Sequence, residues 1–339
     1  MDISSQWSWN NLLPVFSMGL MGISLLAYVI LDGYVLGIGI LTRYVADEDK
    51  GVLIDTVAPY WDANQTWLVL GVSLLTVCFP WAQGIILGSL YVPIFIMIIG
   101  LILRGVAFEF RIKAAEKYRP IWNNCFHIAS VVVSFSQGVM LGQYVTGLHP
   151  SVIATIFSFL TGFCLIAGHV LLGASWLIVK SSGNVQKRAI FWAKNALWGT
   201  ALGVFAISLA TPAASITLFR KWFSFPNIIL LAPIPFITVS VFLFIYIQLR
   251  RLSHDDQNTH PIMPFLGTVL IFFLAFMGLA YSMFPYLVID KITIWQAAAA
   301  HQSLNIIFIG AMVVLPIISL YTVYVHIIFS RKISNQENK

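Results

Sequence analysis

Long apolar segments recur along the whole 339-residue chain, and they constrain the fold more than any other feature of the sequence. An α-helix needs about 20 consecutive apolar residues to cross the hydrocarbon core of a bilayer. Such a helix satisfies its own backbone hydrogen bonds, as lipid requires. Only 9% of the residues are charged, whereas soluble domains carry about 25%. The sequence therefore predicts an all-α integral membrane protein.

The hydropathy pattern predicts about nine membrane-spanning helices in a single transmembrane domain over residues 1–339. The predicted spans are Leu12–Leu41, Trp61–Pro80, Trp81–Val106, Ile121–Tyr144, Val152–Val179, Ile190–Thr211, Ile228–Gln248, Pro264–Phe284 and Leu304–Phe329. The second and third spans meet at residues 79–81, which predicts a tight hairpin between them. The first half of the domain, about 12–144, carries the acidic motifs, and the second half covers about 152–329.

The basic residues are distributed unequally between the two sides of the predicted membrane. Of the 19 Lys and Arg residues, all but Arg220, Lys221 and Lys291 lie in segments on one side. The positive-inside rule then places the N-terminus outside and the C-terminus in the cytoplasm. The basic residues that give the chain its net charge of +6 lie in short loops between apolar spans. This placement fits membrane orientation and not a nucleic-acid-binding surface, so we expect no nucleic-acid partner.

The chain lacks the residue patterns of a cofactor site. Cys78, Cys125 and Cys164 are far apart in apolar segments, with no CxxC pair, so we interpret them as small buried side chains. His127 and His169 lie inside predicted spans and could ligate haem, but no second ligand lies at a matching depth. We therefore expect no catalytic residue, cofactor site or metal site in the chain alone.

Two carboxylates lie within or beside the first two spans. Asp32 lies 11 residues before Arg43, or about 16 Å along a helix, and Asp62 begins the second span on the same cytoplasmic side. A carboxylate inside lipid needs a partner, water or a function. The functional hypothesis is a relay that carries protons inward from the cytoplasm, since a desolvated carboxyl group can exchange protons near neutral pH.

Each acid also has a structural interpretation. Asp62 follows Pro59 and could be a helix N-cap. Asp32 could form an ion pair or hydrogen bond with another helix, but the local sequence offers no cation, which favours the relay. At the end of the third span, Arg104 is expected to snorkel to the cytoplasmic interface, with Glu109 paired to it or to a neighbour.

Several stretches resemble subunit II of the cytochrome bd family of quinol oxidases, including its cyanide-insensitive branch. The most specific are Leu31-Asp-Gly-Tyr-Val-Leu-Gly-Ile-Gly-Ile-Leu41, Ala58-Pro-Tyr-Trp-Asp-Ala-Asn-Gln-Thr-Trp-Leu68 and Leu103-Arg-Gly-Val-Ala-Phe-Glu-Phe-Arg111. The C-terminal third adds Ala280-Tyr-Ser-Met-Phe-Pro-Tyr, Thr293-Ile-Trp-Gln and a last helix that contains Pro316. These stretches occur in the family's order and cover both ends of the chain.

The resemblance implies a haem-free subunit, packed as two four-helix bundles plus one peripheral helix, in a bacterial inner membrane. Its partner would be subunit I, which carries b-type and d-type haems or b-type haems only. That complex would oxidise quinol near the outer face and reduce oxygen to water in an electrogenic reaction. The choice of ubiquinol or menaquinol, a small single-helix subunit, and a structural quinone or lipid all stay open.

Carried over residue by residue, the resemblance places Asp32 and Asp62 on the proton route toward the oxygen-reducing haems. The supporting positions that match the family's motifs are Trp61, Trp67, Arg104 and Glu109. Trp67 matches an aromatic position near the oxygen access route. Many members carry a second acid in the first motif, where this chain has Val35, so a route that needs that acid is in doubt.

Two other functions compete with the oxidase subunit. A proton-coupled secondary transporter would use Asp32 as its coupling carboxylate, and it would contain internal repeats with interrupted helices around a central site. The sequence has no convincing pair of such interruptions. A structural scaffold would need the acids for assembly alone.

Overall fold

The computed structural model describes residues 9–254 and 260–329, and most of the described chain is helical. In chain order the helices are α1 (Trp9–Leu41), α2 (Asp47–Asp55), α3 (Trp61–Cys78), α4 (Pro80–Ser89), α5 (Tyr91–Lys113), α6 (Arg119–Val145), α7 (Val152–Lys180), α8 (Gly183–Ala214), α9 (Ile216–Phe223), α10 (Asn227–Leu231), α11 (Pro233–Ser253), α12 (Met263–Met283), α13 (Ile294–Ala297) and α14 (His301–Ile328). Short 3₁₀ turns occupy Thr42–Tyr44 and Glu116–Tyr118.

Nine of these helices correspond to the nine predicted spans. Within the described residues, eight helical segments are long and apolar enough to cross a membrane, and α3 is the long helix that falls outside this group. α3 has 18 residues, and its first turns contain Asp62, Asn64 and Gln65, which lower its apolarity. α3 nevertheless packs along α1 and touches α14, so it belongs to the same assembly.

The predicted tight hairpin between the second and third spans is wrong. Pro80 has no backbone N–H to continue α3, and it instead occupies the first turn of the separate ten-residue helix α4. Leu90 then interrupts the helical conformation, and α5 begins at Tyr91. The segment that was predicted as one span, Trp81–Val106, therefore consists of the connecting helix α4 and most of the long helix α5.

A small β-hairpin between α12 and α14 is the only sheet in the described chain, and the sequence reasoning did not predict it. Strand β1 (Tyr286–Val288) pairs antiparallel with strand β2 (Ile292–Thr293). Asp290 adopts the positive φ of 56° that the turn requires. The Tyr144 hydroxyl donates to the Leu287 carbonyl at 2.6 Å, which ties the hairpin to the end of α6.

Glycines allow α1 to approach α7 closely at the centre of the molecule. A Cβ atom added to Gly37 would lie 1.8 Å from the His169 carbonyl oxygen, and one added to Gly173 would lie 2.6 Å from the Ile38 nitrogen. Small residues at such crossings let helix backbones pack in membranes, where the hydrophobic effect does not drive association. This contact joins the first half of the chain to the second.

The helix contacts run across both halves of the chain. α1 contacts α3, α6 and α7, while α7 contacts α6, α8 and α12. The largest core cluster includes Tyr34 of α1, Leu172 of α7, Ala189 of α8 and Ile271 of α12. The grouping into two four-helix bundles plus one peripheral helix therefore stays a prediction.

Candidate functional site

Asp32 lies at the centre of the helix assembly and forms an ion pair with Arg104. Its side chain is 0% exposed, and that of Arg104 is 1% exposed. Arg104 Nη1 donates to Asp32 Oδ2 at 2.9 Å. A guanidinium and a carboxylate that are buried together each compensate part of the other's lost hydration. The prediction that Arg104 snorkels to the interface is therefore wrong, and Asp32 does have a cation.

The helical periodicity of α5 explains why Arg104 points inward. The buried positions of this helix include Pro93, Met97, Gly100, Arg104 and Ala107, which are spaced by three or four residues on one face. A Cβ atom added to Gly100 would lie 2.7 Å from a Val133 methyl group, so α5 and α6 are closely packed one turn before Arg104. The arginine therefore extends into the protein from the packed face.

Further polar side chains from α1, α6 and α7 surround the ion pair. We call this group the central polar cluster, which consists of Tyr28, Asp32, Arg104, Ser134, Gln137 and His169. Gln137 Nε2 donates to the Tyr28 hydroxyl at 2.7 Å, and that hydroxyl interacts with Asp32. His169 Nδ1 lies 3.0 Å from Ser134 Oγ. Four helices thus contribute to one buried polar site.

Several buried atoms of the cluster have no hydrogen-bond partner among the described residues. They are Asp32 Oδ1, Arg104 Nε, Arg104 Nη2, Gln137 Oε1 and His169 Nε2. Asp32 Oδ1 lies 2.9 Å from Arg104 Nη1 without completing a second hydrogen bond. An unsatisfied buried polar group costs about 1–3 kcal/mol. The cluster is therefore more polar than a helix interface needs for packing alone.

The sequence reasoning did not single out Tyr28 and Gln137 as site residues. Tyr28 lies four residues before Asp32, so the two share one face of α1, and this spacing was the available signal. For Gln137, which comes from α6, the local sequence offers no comparable signal. Val35, the residue at the family's second acidic position, is fully buried in the apolar core.

A second network lies toward the C-terminal end of α1, which is the predicted cytoplasmic end, and we call it the inner network. Asn64 Nδ2 donates to the Leu31 carbonyl at 2.8 Å and to the Tyr34 hydroxyl at 3.2 Å. The same hydroxyl lies 3.1 Å from His326 Nε2 of α14. The Tyr34 ring stacks on Trp176 with 4.6 Å between ring centroids. The motif around Asp62 is thereby linked to α1, α7 and α14.

The inner network reaches the exterior of the chain through an open groove of about 470 Å³ between α1 and α14. Its lining residues are Leu31, Thr322, Val323, His326 and Ile327. Next to the groove, the Tyr60 hydroxyl donates to the Phe329 carbonyl at 3.0 Å. Burial raises the pKa of Tyr60 to about 12, so this phenol remains a protonated donor at neutral pH.

Asp62 lies apart from the central polar cluster. Its side chain is exposed, and within the described residues no hydrogen bond or ion pair involves it. The N-cap of α3 is Tyr60 rather than Asp62, so the capping interpretation is wrong. The carboxylate is still favoured electrostatically in the first turn of a helix. No direct contact joins Asp62 to Asp32.

The remaining predicted site residues lie around the ends of α3 and α5. The Trp61 ring packs against the Phe108 ring, with 5.1 Å between the ring centroids. Trp67 is 4% exposed, and its Nε1 donates to Thr322 Oγ1 at 3.2 Å. Glu109 is half exposed and pairs with Lys113 at 3.4 Å. Of the two partners expected for Glu109, it therefore pairs with a neighbour and not with Arg104.

The candidate metal and haem ligands are dispersed. Across residues 9–254 and 260–329, no three His, Cys, Asp or Glu side chains are placed to hold a metal ion. His127 Nδ1 lies 3.0 Å from the Ile40 carbonyl oxygen. Cys78 and Cys164 are buried as expected, whereas Cys125 is half-buried.

Comparisons with known proteins cover nearly the whole chain. A family model described as "Cytochrome bd terminal oxidase subunit II" matches residues 13–329. "Cytochrome bd ubiquinol oxidase subunit 2" of Bacillus subtilis (strain 168) is 25% identical over 337 residues, covering 94% of this chain and 96% of that protein. "Cytochrome bd-I ubiquinol oxidase subunit 2" of Escherichia coli (strain K12) is 26% identical over 351 residues, covering 90% and 91%.

A solved structure shares the fold. A chain of the bd oxidase from Geobacillus thermodenitrificans superposes with a TM-score of 0.71 at 18% identity, and the match covers 92% of this chain and 97% of that one. At this identity the similarity establishes the architecture alone.

Proposed function

Since the chain belongs to the family of cytochrome bd terminal oxidase subunit II, we propose that it is the haem-free subunit of a membrane-bound quinol:oxygen oxidoreductase in an aerobic respiratory chain. Its partner is subunit I, which we propose carries the haems and oxidises quinol. The names of the relatives, both ubiquinol oxidase subunits, support this activity. The chain supports subunit I and contributes a proton path from the cytoplasm to the site of oxygen reduction.

The observation that carries the proton-path proposal is the buried carboxylate of Asp32 among unpartnered polar atoms. Arg104 stabilises the ionised form of Asp32, so a proton that reaches this carboxylate leaves the arginine charge uncompensated. Burial of the carboxylate opposes this effect, because desolvation favours the neutral acid, so Asp32 can both take up and release a proton. The central polar cluster therefore suits transfer.

The route on the cytoplasmic side is less direct than two neighbouring carboxylates would be. Asn64, Tyr34 and His326 form a hydrogen-bonded chain near the inner end of α1, and His326 lines the open groove. Asp62 is exposed on the same inner part of the molecule. We propose that Asp62 collects protons at the edge of the assembly and that Asp32 receives them inside it.

A structural role is the second candidate, because the Asp32–Arg104 ion pair alone could serve to hold α1 against α5. The deciding experiment replaces Asp32 with Asn in the assembled oxidase. Asn has the same size and cannot take up a proton. We expect oxygen consumption per assembled complex to fall several-fold, with assembly measured independently from the haem spectrum of the partner.

The matched controls use the other acids of the chain. Glu116→Gln changes an exposed carboxylate that lies 3.6 Å from Arg119, so the oxidase rate should stay near wild type. Asp62→Asn should lower the rate less than Asp32→Asn, because an exposed collecting group can be replaced by others. A wild-type rate per assembled complex in Asp32→Asn would remove the proton-path proposal and leave the structural role.

A further inference from the structure

The unpartnered atoms of the central polar cluster belong to side chains that neighbour one another. Asp32 contacts Arg104, and Tyr28 joins Asp32 to Gln137. A Cβ atom added to Gly33, next to Asp32, would lie 2.9 Å from His169 Cδ2 and 3.4 Å from its Nε2. The imidazole of His169 therefore packs against α1 at the residue next to Asp32.

The unpartnered hydrogen-bond donors and acceptors of this cluster are chemically complementary, but none of them forms a hydrogen bond with another. Arg104 Nε and Nη2 can only donate, while Asp32 Oδ1 and Gln137 Oε1 can only accept. The ion pair is neutral overall, so the cluster does not call for an additional ion of either sign. A neutral molecule that both accepts and donates hydrogen bonds fits these groups, and internal waters typically make about three such bonds.

We propose that the central polar cluster is a binding site for internal water, and that His169 is a positioning residue for it. A water between Arg104 and His169 accepts from the guanidinium and donates to His169 Nε2. This arrangement places the imidazole proton on Nδ1, where Ser134 Oγ accepts it. The functional half of this inference rests on the proposed proton path, because the water would extend the path from α1 and α5 to α7.

The direct test is a cryo-EM map of the intact oxidase at a resolution that shows ordered water. We expect a density peak within hydrogen-bonding distance of both an Arg104 nitrogen and His169 Nε2. If those nitrogens instead contact protein atoms directly, from this chain or from the partner subunit, the water site is ruled out. This outcome does not depend on whether Asp32 carries protons.

Two substitutions of His169 separate the water contact from the Ser134 contact. His169→Gln places a polar atom near the position of Nε2, whereas His169→Asn places one near Nδ1 and keeps only the Ser134 partner. We expect the water peak and most of the oxidase rate in His169→Gln. In His169→Asn we expect the peak to disappear, the rate to fall several-fold and the solvent deuterium isotope effect on turnover to rise.

Ser175→Ala is the matched control, because Ser175 is also fully buried in α7 and its hydroxyl lies 3.4 Å from Thr268 Oγ1, away from the cluster. This variant should keep the wild-type rate and isotope effect. The positioning role is overturned if His169→Asn assembles and turns over with wild-type rate and isotope effect. It is also overturned if His169→Gln and His169→Asn lose the same fraction of activity.

Discussion

The Asp32–Arg104 ion pair is hard to explain by stability alone. Two charges lose their hydration when they are buried, and a well-packed apolar pair of similar volume is often as stable or more so. Arg104 is the bulkiest of the fully buried side chains in the described chain, so apolar groups could fill this space. The retained charges and the open hydrogen-bonding positions around them therefore point to a use of the charge itself.

Removal of one charge from this pair should be more harmful than removal of both. In Arg104→Gln the carboxylate of Asp32 remains buried without its cation, and we expect a loss of about 3–5 kcal/mol of stability. The double variant Asp32→Asn/Arg104→Gln restores neutrality. Thermal unfolding of the purified complex, followed by the haem absorption of the partner, should show the large loss in the single variant and recovery of most of it in the double variant.

Turnover should not recover with stability in that double variant, since neither remaining amide can take up a proton. An oxidase rate near wild type in the double variant would show that the pair serves assembly only. A single variant as stable as wild type would instead mean that Asp32 is neutralised without Arg104, either by a proton or by a cation of the partner subunit.

The position of Asp32 could be predicted from the sequence, whereas its partner could not. A carboxylate inside an apolar span must be buried in protein or in a cavity, and this follows from local sequence. Arg104 is 72 positions away, and hydropathy does not say which faces of α1 and α5 meet. The capping interpretation of Asp62 was wrong because the helix already begins at Trp61, with Tyr60 as its N-cap.

Helix boundaries were predictable where the chain changes from apolar to polar. The end of α1 at Leu41 agrees with the prediction, and α7 and α12 agree within one residue at each end. The break at Leu90 was not predicted, since residues on both sides of it are apolar. Hydropathy therefore marks where the chain leaves the membrane but does not mark a bend between two apolar helices.

The contact between α1 and α7 should be intolerant of any side chain at Gly37. A methyl group there would lie 1.8 Å from the His169 carbonyl oxygen, and helix backbone cannot move away as a flexible side chain can. We expect Gly37→Ala to cost about 3 kcal/mol or more. The measurement is the thermal midpoint of the assembled oxidase, together with the amount of complex recovered from membranes.

Gly19→Ala is the control within the same helix, because nothing lies within 4 Å of the added methyl group. Ala is favoured over Gly inside a helix by about 0.5–1 kcal/mol, so this variant should be unchanged or slightly more stable. A Gly37→Ala complex as stable as wild type would mean that α1 and α7 are further apart than the structure places them.

At the scale of the whole molecule, no described part of the chain covers the outer face of α14. Ile309, Ile317 and Leu320 of α14 are 65%, 61% and 70% exposed. Thr322, which accepts from Trp67, and His326, which lies next to Tyr34, are on the opposite side of α14, toward α3 and α1. An exposed apolar face on a membrane protein is available for contact with lipid or with another subunit.

Membrane orientation is the prediction on which the direction of proton uptake depends. The structure contains no membrane, so the proposal that the N-terminus is outside rests on the distribution of Lys and Arg. Two exposed serines in short connections test it from opposite sides. Ser182 lies between α7 and α8 on the predicted cytoplasmic side, and Ser224 follows α9 on the predicted outer side.

In spheroplasts with an intact cytoplasmic membrane, a membrane-impermeant maleimide should label Ser224→Cys at once. It should label Ser182→Cys only after the membrane is permeabilised. The native thiols give a low background, since Cys78 and Cys164 are buried and Cys125 is half-buried. The opposite labelling pattern would place Asp62 and the inner network on the outer side. Protons for oxygen reduction would then enter from the wrong compartment, and the proposed path would have to be abandoned even if Asp32 proved essential for turnover.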